Sequence, residues 1–79
     1  MPNPASNEIE FKYSIPEEGY VSISICDVLG HEVAQLVKNQ QLPNSYIQHM
    51  DVSKLPDGVY TYRFVFNENV KTGRLVINR

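Results

Sequence analysis

The side chains that could act in catalysis or bind a metal are few in this sequence and lie far apart along it. Cys26 is the only cysteine, and the two histidines are His31 and His49. A nucleophilic site needs Ser or Cys with an activating base, and a structural zinc site needs four ligands at short spacings. Neither pattern surrounds these residues, while Glu17 and Glu18 are adjacent on a predicted turn, so that their side chains diverge. The sequence therefore predicts no enzyme, no metal site and no cofactor.

The charge of the chain argues against nucleic acid as a partner. The formal charge is −2, whereas a nucleic-acid-binding domain is expected to be basic. The charges are also uneven: six acids and one base precede Ala34, and six bases and three acids follow from it. We expect the two halves to pair across the sheets. The alternative is a basic C-terminal end that binds an acidic partner.

Length and cysteine content limit the architecture. At 79 residues the chain forms one domain at most. One cysteine allows no internal disulfide, so that packing alone must stabilise the fold. No segment is typical of a signal peptide or a membrane span. Met1 before Pro2-Asn3-Pro4 suggests an excised piece, and the stop at Arg79 suggests the natural C-terminal end of a longer protein. We expect residues 1–7 to be a linker end that docks on a single domain formed by residues 8–79.

Apolar residues alternate with a period of two along most of the chain, which indicates β-strands. The predicted strands are Glu8 to Ile15, Tyr20 to Cys26, His31 to Val37, Tyr46 to Met50, Val59 to Phe66 and Val70 to Asn78, with a seventh if Lys38 to Leu42 pairs. Short strands at regular spacing, without a helical period, predict an all-β sandwich of two sheets.

The strand from Val59 to Phe66 is expected to hold the thickest part of the core. Pro56 and Gly58 favour a tight turn before it, because Pro presets φ and Gly tolerates positive φ. Along the strand, one face then carries four of the chain's eight aromatic residues: Tyr60, Tyr62, Phe64 and Phe66.

Two further turns are predicted from residues that bond the backbone. Asp27 to Gly30 should close a hairpin, with Asp27 accepting from the backbone and Gly30 in the left-handed region. Asp51 and Ser53 should form a second turn that places Val52 and Leu55 in the core.

Four motifs occur in order along the chain. They are Pro2-Asn3-Pro4, the hairpin with Asp27 and Gly30 that follows a Val21–Ile25 strand, the run from Asp51 to Tyr60, and the end with Arg74 and Arg79. In this order they resemble the C-terminal sorting domain of the type IX (Por) secretion system, found on cargo proteins of Bacteroidetes-type bacteria. The family's terminal basic residues are lysines and the position of His31 is usually basic. Arginine keeps the charge but presents a planar fork.

The resemblance implies a small immunoglobulin-like antiparallel β-sandwich of about seven strands that serves as an export address. It implies binding to the outer-membrane secretion machinery, export of an N-terminal cargo from the periplasm through the outer membrane, and removal by a sortase-like protease. The cargo would then be released or anchored at the cell surface. The residues exposed for recognition would be Pro2, Asn3, Pro4, Arg74 and Arg79. The residues with structural roles would be Asp27, Gly30, Asp51, Leu55, Gly58 and Tyr60.

One alternative to this interpretation remains, and the oligomeric state is open. A fibronectin-like carbohydrate-binding or spacer module uses the same sandwich, and it predicts a platform of exposed aromatic side chains. Tyr20 and Tyr46 are the tyrosines that could join such a platform. An exposed edge strand could also pair two copies of the chain into a homodimer.

Overall fold

Residues 7–78 are described by the computed structural model, and they form six antiparallel strands without a helix. The strands are β1 Glu8–Ile15, β2 Gly19–Cys26, β3 Glu32–Gln41, β4 Asn44–Asp51, β5 Gly58–Phe66 and β6 Asn69–Ile77. The candidate seventh strand is the second half of β3, whose pairing with β2 continues to Gln41. Within residues 7–78 no helix could therefore span a membrane.

The strands form two sheets, so the predicted all-β sandwich is confirmed. One sheet has the order β3-β2-β5-β6, and the other contains β1 and β4. The connections β2–β3 and β5–β6 are hairpins within the larger sheet. The other three connections cross from one sheet to the other, which places the apolar faces of β1 and β4 against the larger sheet.

Two clusters of buried side chains fill the space between the sheets. The first contains Ile9, Ile25, Val52, Tyr60, Leu75 and Ile77, and the second contains Ile15, Val21, Ile23 and Val37. Phe11 and Leu36 pack against both clusters and join them into one core.

Aromatic side chains make the contact between β1 and β5. Phe11 meets Tyr62 and Tyr13 meets Phe64 edge to face, each with ring centroids 5.2 Å apart. Tyr13 also stacks on Tyr46 of β4 at 5.3 Å. Each such pair adds about 0.5–1.5 kcal/mol beyond the area it buries. The predicted aromatic face of β5 is thus the inner face of the larger sheet.

The edge strand β3 departs from strict alternation because it contains two bulges against β2, at Leu36 and Val33. A bulge sets two consecutive residues opposite one residue of the partner strand. Consequently Leu36 and Val37 both contact the core although they are neighbours. The two bulges explain the mixed pattern from His31 to Val37. They also hinder pairing of the β3 edge with another strand.

Gly73 of β6 is required by the aromatic packing. It lies opposite Tyr62 in the β5–β6 register. A Cβ atom at this position would overlap the Tyr62 ring, which lies across the glycine. The absence of a side chain therefore lets Tyr62 reach Phe11.

Replacing Gly73 by Val should lower the free energy of unfolding by about 1–3 kcal/mol, because Tyr62 must leave its contact with Phe11. Urea unfolding followed by circular dichroism measures the change. Thr72→Val is the matched control, since Thr72 is exposed on the same strand. Equal stability of the Gly73→Val variant and the unchanged chain would contradict this account.

Candidate functional site at one end of the sandwich

The strand directions bring the described parts of the sequence motifs to one end of the sandwich. β1, β3 and β5 begin beside the cluster that contains Ile9 and Ile77, and β2, β4 and β6 end there. Residues 27–31 and 52–57 therefore lie at the same end as both ends of the described chain. We call this the motif end. The opposite end carries the connections 16–18, 42–43 and 67–68.

The hairpin at the motif end is held by Asp27. Its Oδ1 atom accepts hydrogen bonds from the N–H groups of Leu29 and His31, both at 2.9 Å. The backbone N–H of Gly30 donates to the carbonyl of Asp27 at 3.0 Å, and Gly30 has a φ of +86°. Since all these bonds involve Asp27 or the backbone, the side chains between Asp27 and Gly30 have no part in holding the turn.

Those two side chains, Val28 and Leu29, project into solvent. Each is 77% exposed, the largest exposure among the big apolar side chains of residues 7–78. Sequence reasoning assigned roles to Asp27 and Gly30 and passed over the two residues between them. The signal was present, however, because turns favour small and polar residues and this turn contains two large apolar ones.

The second loop of the motif end is anchored in the core. Asp51 Oδ1 accepts from the N–H of Ser53 at 2.8 Å, and the N–H of Leu55 donates to the carbonyl of Val52 at 3.0 Å. Val52 is completely buried and Leu55 packs against the same cluster. The loop is thereby fixed at both of its apolar side chains.

Tyr60 and Gly58 complete this loop at the start of β5. Tyr60 is buried, and its hydroxyl donates to the carbonyl of Pro56 at 2.6 Å. Gly58 has a φ of +156° and lies opposite Ile77 in the β5–β6 register. The loop is thus tied to the last residues of β6.

Both ends of the described chain meet this loop. The carbonyl of Asn7 accepts from the N–H of Val52 at 2.8 Å. Arg74 lies on the outer face of β6, opposite Thr61, and is exposed. The other residues predicted for recognition, Pro2, Asn3, Pro4 and Arg79, lie outside the described residues.

The side chains considered for other chemistry lie apart. In residues 7–78 no three Cys, His, Asp or Glu side chains are close enough to hold a metal ion. Cys26 is half-buried at the end of β2. Tyr20 is on β2 and Tyr46 is on β4, in different sheets, so these tyrosines do not form one platform.

The sequence model of the secretion system C-terminal sorting domain family matches residues 1–78. The chain belongs to this family. No curated protein and no solved structure matches the chain.

Membership in the family defines the general function of the sorting domain. Such a domain is a C-terminal sorting signal for type IX secretion, and the family is one of Bacteroidetes. It is not a family of enzymes. A sorting domain implies an N-terminal cargo, a secretion machinery that recognises it, and export to the cell surface or the medium.

The charge of Asp27 contributes to the stability of the motif end. The hydrogen bond from the His31 N–H is the main cause that lowers the pKa of Asp27 below its ordinary value of 3.8; the Leu29 N–H and the nearby His31 ring add to it. A lowered folded-state pKa stabilises the fold above the unfolded pKa, and this stabilisation is lost as the pH falls through the folded value.

The unchanged chain should therefore lose stability relative to the Asp27→Asn variant as the pH is lowered from about 5 to about 2.5. Asn keeps the accepting Oδ1 atom but carries no charge, so it isolates the titration. Urea unfolding of both chains across this range, together with the carboxyl titration of Asp27 by nuclear magnetic resonance, measures the effect. A parallel pH dependence of the two chains, or a titration midpoint at or above 3.8, would refute the role of the charge.

Proposed function

We propose that this domain directs an N-terminal cargo from the periplasm through the outer membrane, and that the secretion machinery recognises its motif end. A sortase-like protease then removes the domain, and the cargo is released or attached at the cell surface. Membership in the sorting family supports the export function. The position of the loops 27–31 and 52–57 at the same end as both ends of the described chain supports the choice of surface.

The motif end contains residues with two distinct tasks. Asp27, Gly30, Asp51, Leu55 and Tyr60 hold the loops, because their side chains or backbones are bonded or buried there. The groups that a receptor can reach are those that project outward.

These outward groups are the apolar pair Val28 and Leu29 and the guanidinium of Arg74. An apolar pair presented on a rigid turn loses little conformational freedom when it binds, which favours its use as an anchor. A cation nearby adds orientation and speeds association with an acidic receptor surface. Pro2, Asn3, Pro4 and Arg79, which lie outside the described residues, are proposed as further recognition residues.

A reporter fusion tests the export function. A fluorescent protein with a signal peptide, followed by this 79-residue chain, should reach the medium or the cell surface of a bacterium with a type IX system. The same fusion should stay in the periplasm when Arg74 and Arg79 are both replaced by Ala. Lys38→Ala is the control at the opposite end of the sandwich, and it should leave export unchanged.

Two results would contradict the proposal. Retention of the unchanged fusion in the periplasm would refute the export function itself. Undiminished export of the doubly substituted fusion would refute the role of the basic end and leave the export function standing.

The paired substitution of Val28 and Leu29 by Ser should reduce export at least tenfold without loss of stability, because neither side chain supports the fold. Leu42→Ser is the matched control, since Leu42 is 65% exposed in a connection at the opposite end. Quantification of the reporter in medium and periplasm gives the export, and thermal unfolding of the purified chains gives the stability. Equal export of the paired variant and the Leu42→Ser control would show that the turn is not an anchor.

A further inference from the structure

The smaller sheet leaves part of the larger sheet uncovered. β1 lies above β5, because Phe11 and Tyr13 contact Tyr62 and Phe64. β6 is the next strand beyond β5 and forms the edge of its sheet. Neighbouring strands are about 4.8 Å apart, so the larger sheet extends roughly one strand further than β1 on this side. The overhang is open along the first part of β6, whereas Leu75 and Ile77 are buried.

A cleft occupies the place of the absent strand. It has a volume of about 330 Å³ and lies between the four rings of Phe11, Tyr13, Tyr62 and Phe64. A second cavity of about 240 Å³ shares Phe64 with it and continues between Ile15 and Phe66. All of these aromatic side chains are only half-buried, so the cleft is an elongated apolar surface in contact with solvent.

One edge of the cleft offers backbone groups for pairing. Among the described residues β1 is paired with β4 alone, so the N–H and C=O groups along its other edge face the cleft. An extended segment that pairs with this edge would also cover the rings below it. The edge of β3, in contrast, is interrupted by two bulges.

The charged groups that line the cleft are both cations. Lys71 lies opposite Phe64 in the β5–β6 register and so belongs to the inner face of β6, beside the rings. None of the ion pairs within residues 7–78 involves Lys71. Lys12 lies on the exposed face of β1, with its Nζ atom 3.6 Å from Glu10. A segment that carries carboxylates would complement both lysines.

We propose that the cleft binds an extended acidic segment of a partner protein as an additional strand along β1. Its inward side chains would be apolar above Tyr62 and Phe66, with a carboxylate between them at the level of Phe64 and Lys71. An outward carboxylate would lie beside Lys12, since directly opposite charges on neighbouring strands attract. The partner would thus be recognised by backbone pairing, by apolar contact and by charge.

A single strand fits this position better than a second copy of the sandwich. β6 projects beyond β1, so a whole second domain brought to the β1 edge would meet β6 of the first. The cleft is also on the side of the sandwich and uses none of the groups assigned to the motif end. The inference is therefore separate from the export function.

Binding of two blocked heptapeptides tests the inference. One is Thr-Val-Thr-Glu-Glu-Val-Thr, in which one glutamate and both valines share a face, and the other has lysines in place of the glutamates. Titration of the 79-residue chain, followed by amide resonances, should show the acidic peptide shifting β1 and β6. The acidic peptide should bind at least tenfold more tightly than the basic one.

Charge reversal in the cleft makes the test specific. Lys71→Glu should weaken binding of the acidic peptide at least tenfold and strengthen binding of the basic one, because the charge beside the rings is reversed. Lys71 is exposed, so its replacement leaves the core intact. Lys54→Glu introduces the same charge in the loop of the motif end and should change neither affinity. Thermal unfolding of both variants confirms that they are folded.

Several outcomes would overturn the inference. They are equal binding of the two peptides, binding of neither, shifts confined to strands other than β1, β5 and β6, or equal effects of the two charge reversals. Concentration-dependent self-association that occupies β1 and excludes the acidic peptide would assign the edge to a second copy instead.

Discussion

The contact between the rings of β1 and β5 is the interaction on which the rest of the sandwich depends. A pair of strands such as β1 and β4 is marginally stable by itself, so it must be held by packing. The single cysteine allows no internal cross-link. Seven side chains of the described chain are completely buried. The ring contacts of Phe11 and Tyr13 add further packing along β1. The same arrangement leaves the first part of β6, before the buried Leu75 and Ile77, uncovered, because the rings hold β1 above β5.

The number of strands determines where the functional surface can form. In an antiparallel sandwich, alternate connections lie at opposite ends, so an even number of strands returns the chain to the end at which it started. With six strands, the described chain begins and ends at the motif end, together with the two loops 27–31 and 52–57. A seventh independent strand would have separated the two ends of the described chain by the length of the domain. The continuation of β3 to Gln41 as one strand therefore sets the end of the sandwich at which the described chain finishes.

Much of the fold could be predicted from local pattern, and the candidate site only in part. Alternation identifies which side chains share a face, and it placed Ile9 to Ile15 of β1 and the aromatic face of β5 correctly. It does not identify neighbouring strands, because pairing depends on residues far apart in sequence. The division into sheets of four and two strands, the bulges of β3 and the cleft beside β1 all follow from that pairing. The position of Val28 and Leu29 in a turn could be predicted locally, but their place at the same end as the loop 52–57 depends on the pairing of the strands.

In the hairpin of the motif end, the groups that hold the turn are distinct from the two apolar side chains that project into solvent. A large apolar side chain that stays exposed does not contribute the about 1.5–3 kcal/mol that its burial would add to stability. This is a large fraction of the total stability of a small domain. The hydrogen bonds of Asp27 and the backbone conformation of Gly30 would hold the same turn with polar residues at the two central positions. The apolar character of Val28 and Leu29 therefore has no basis in the stability of the isolated domain. Insertion of the turn into an apolar site on a partner would account for this apolar character, because both side chains would then be buried in the complex.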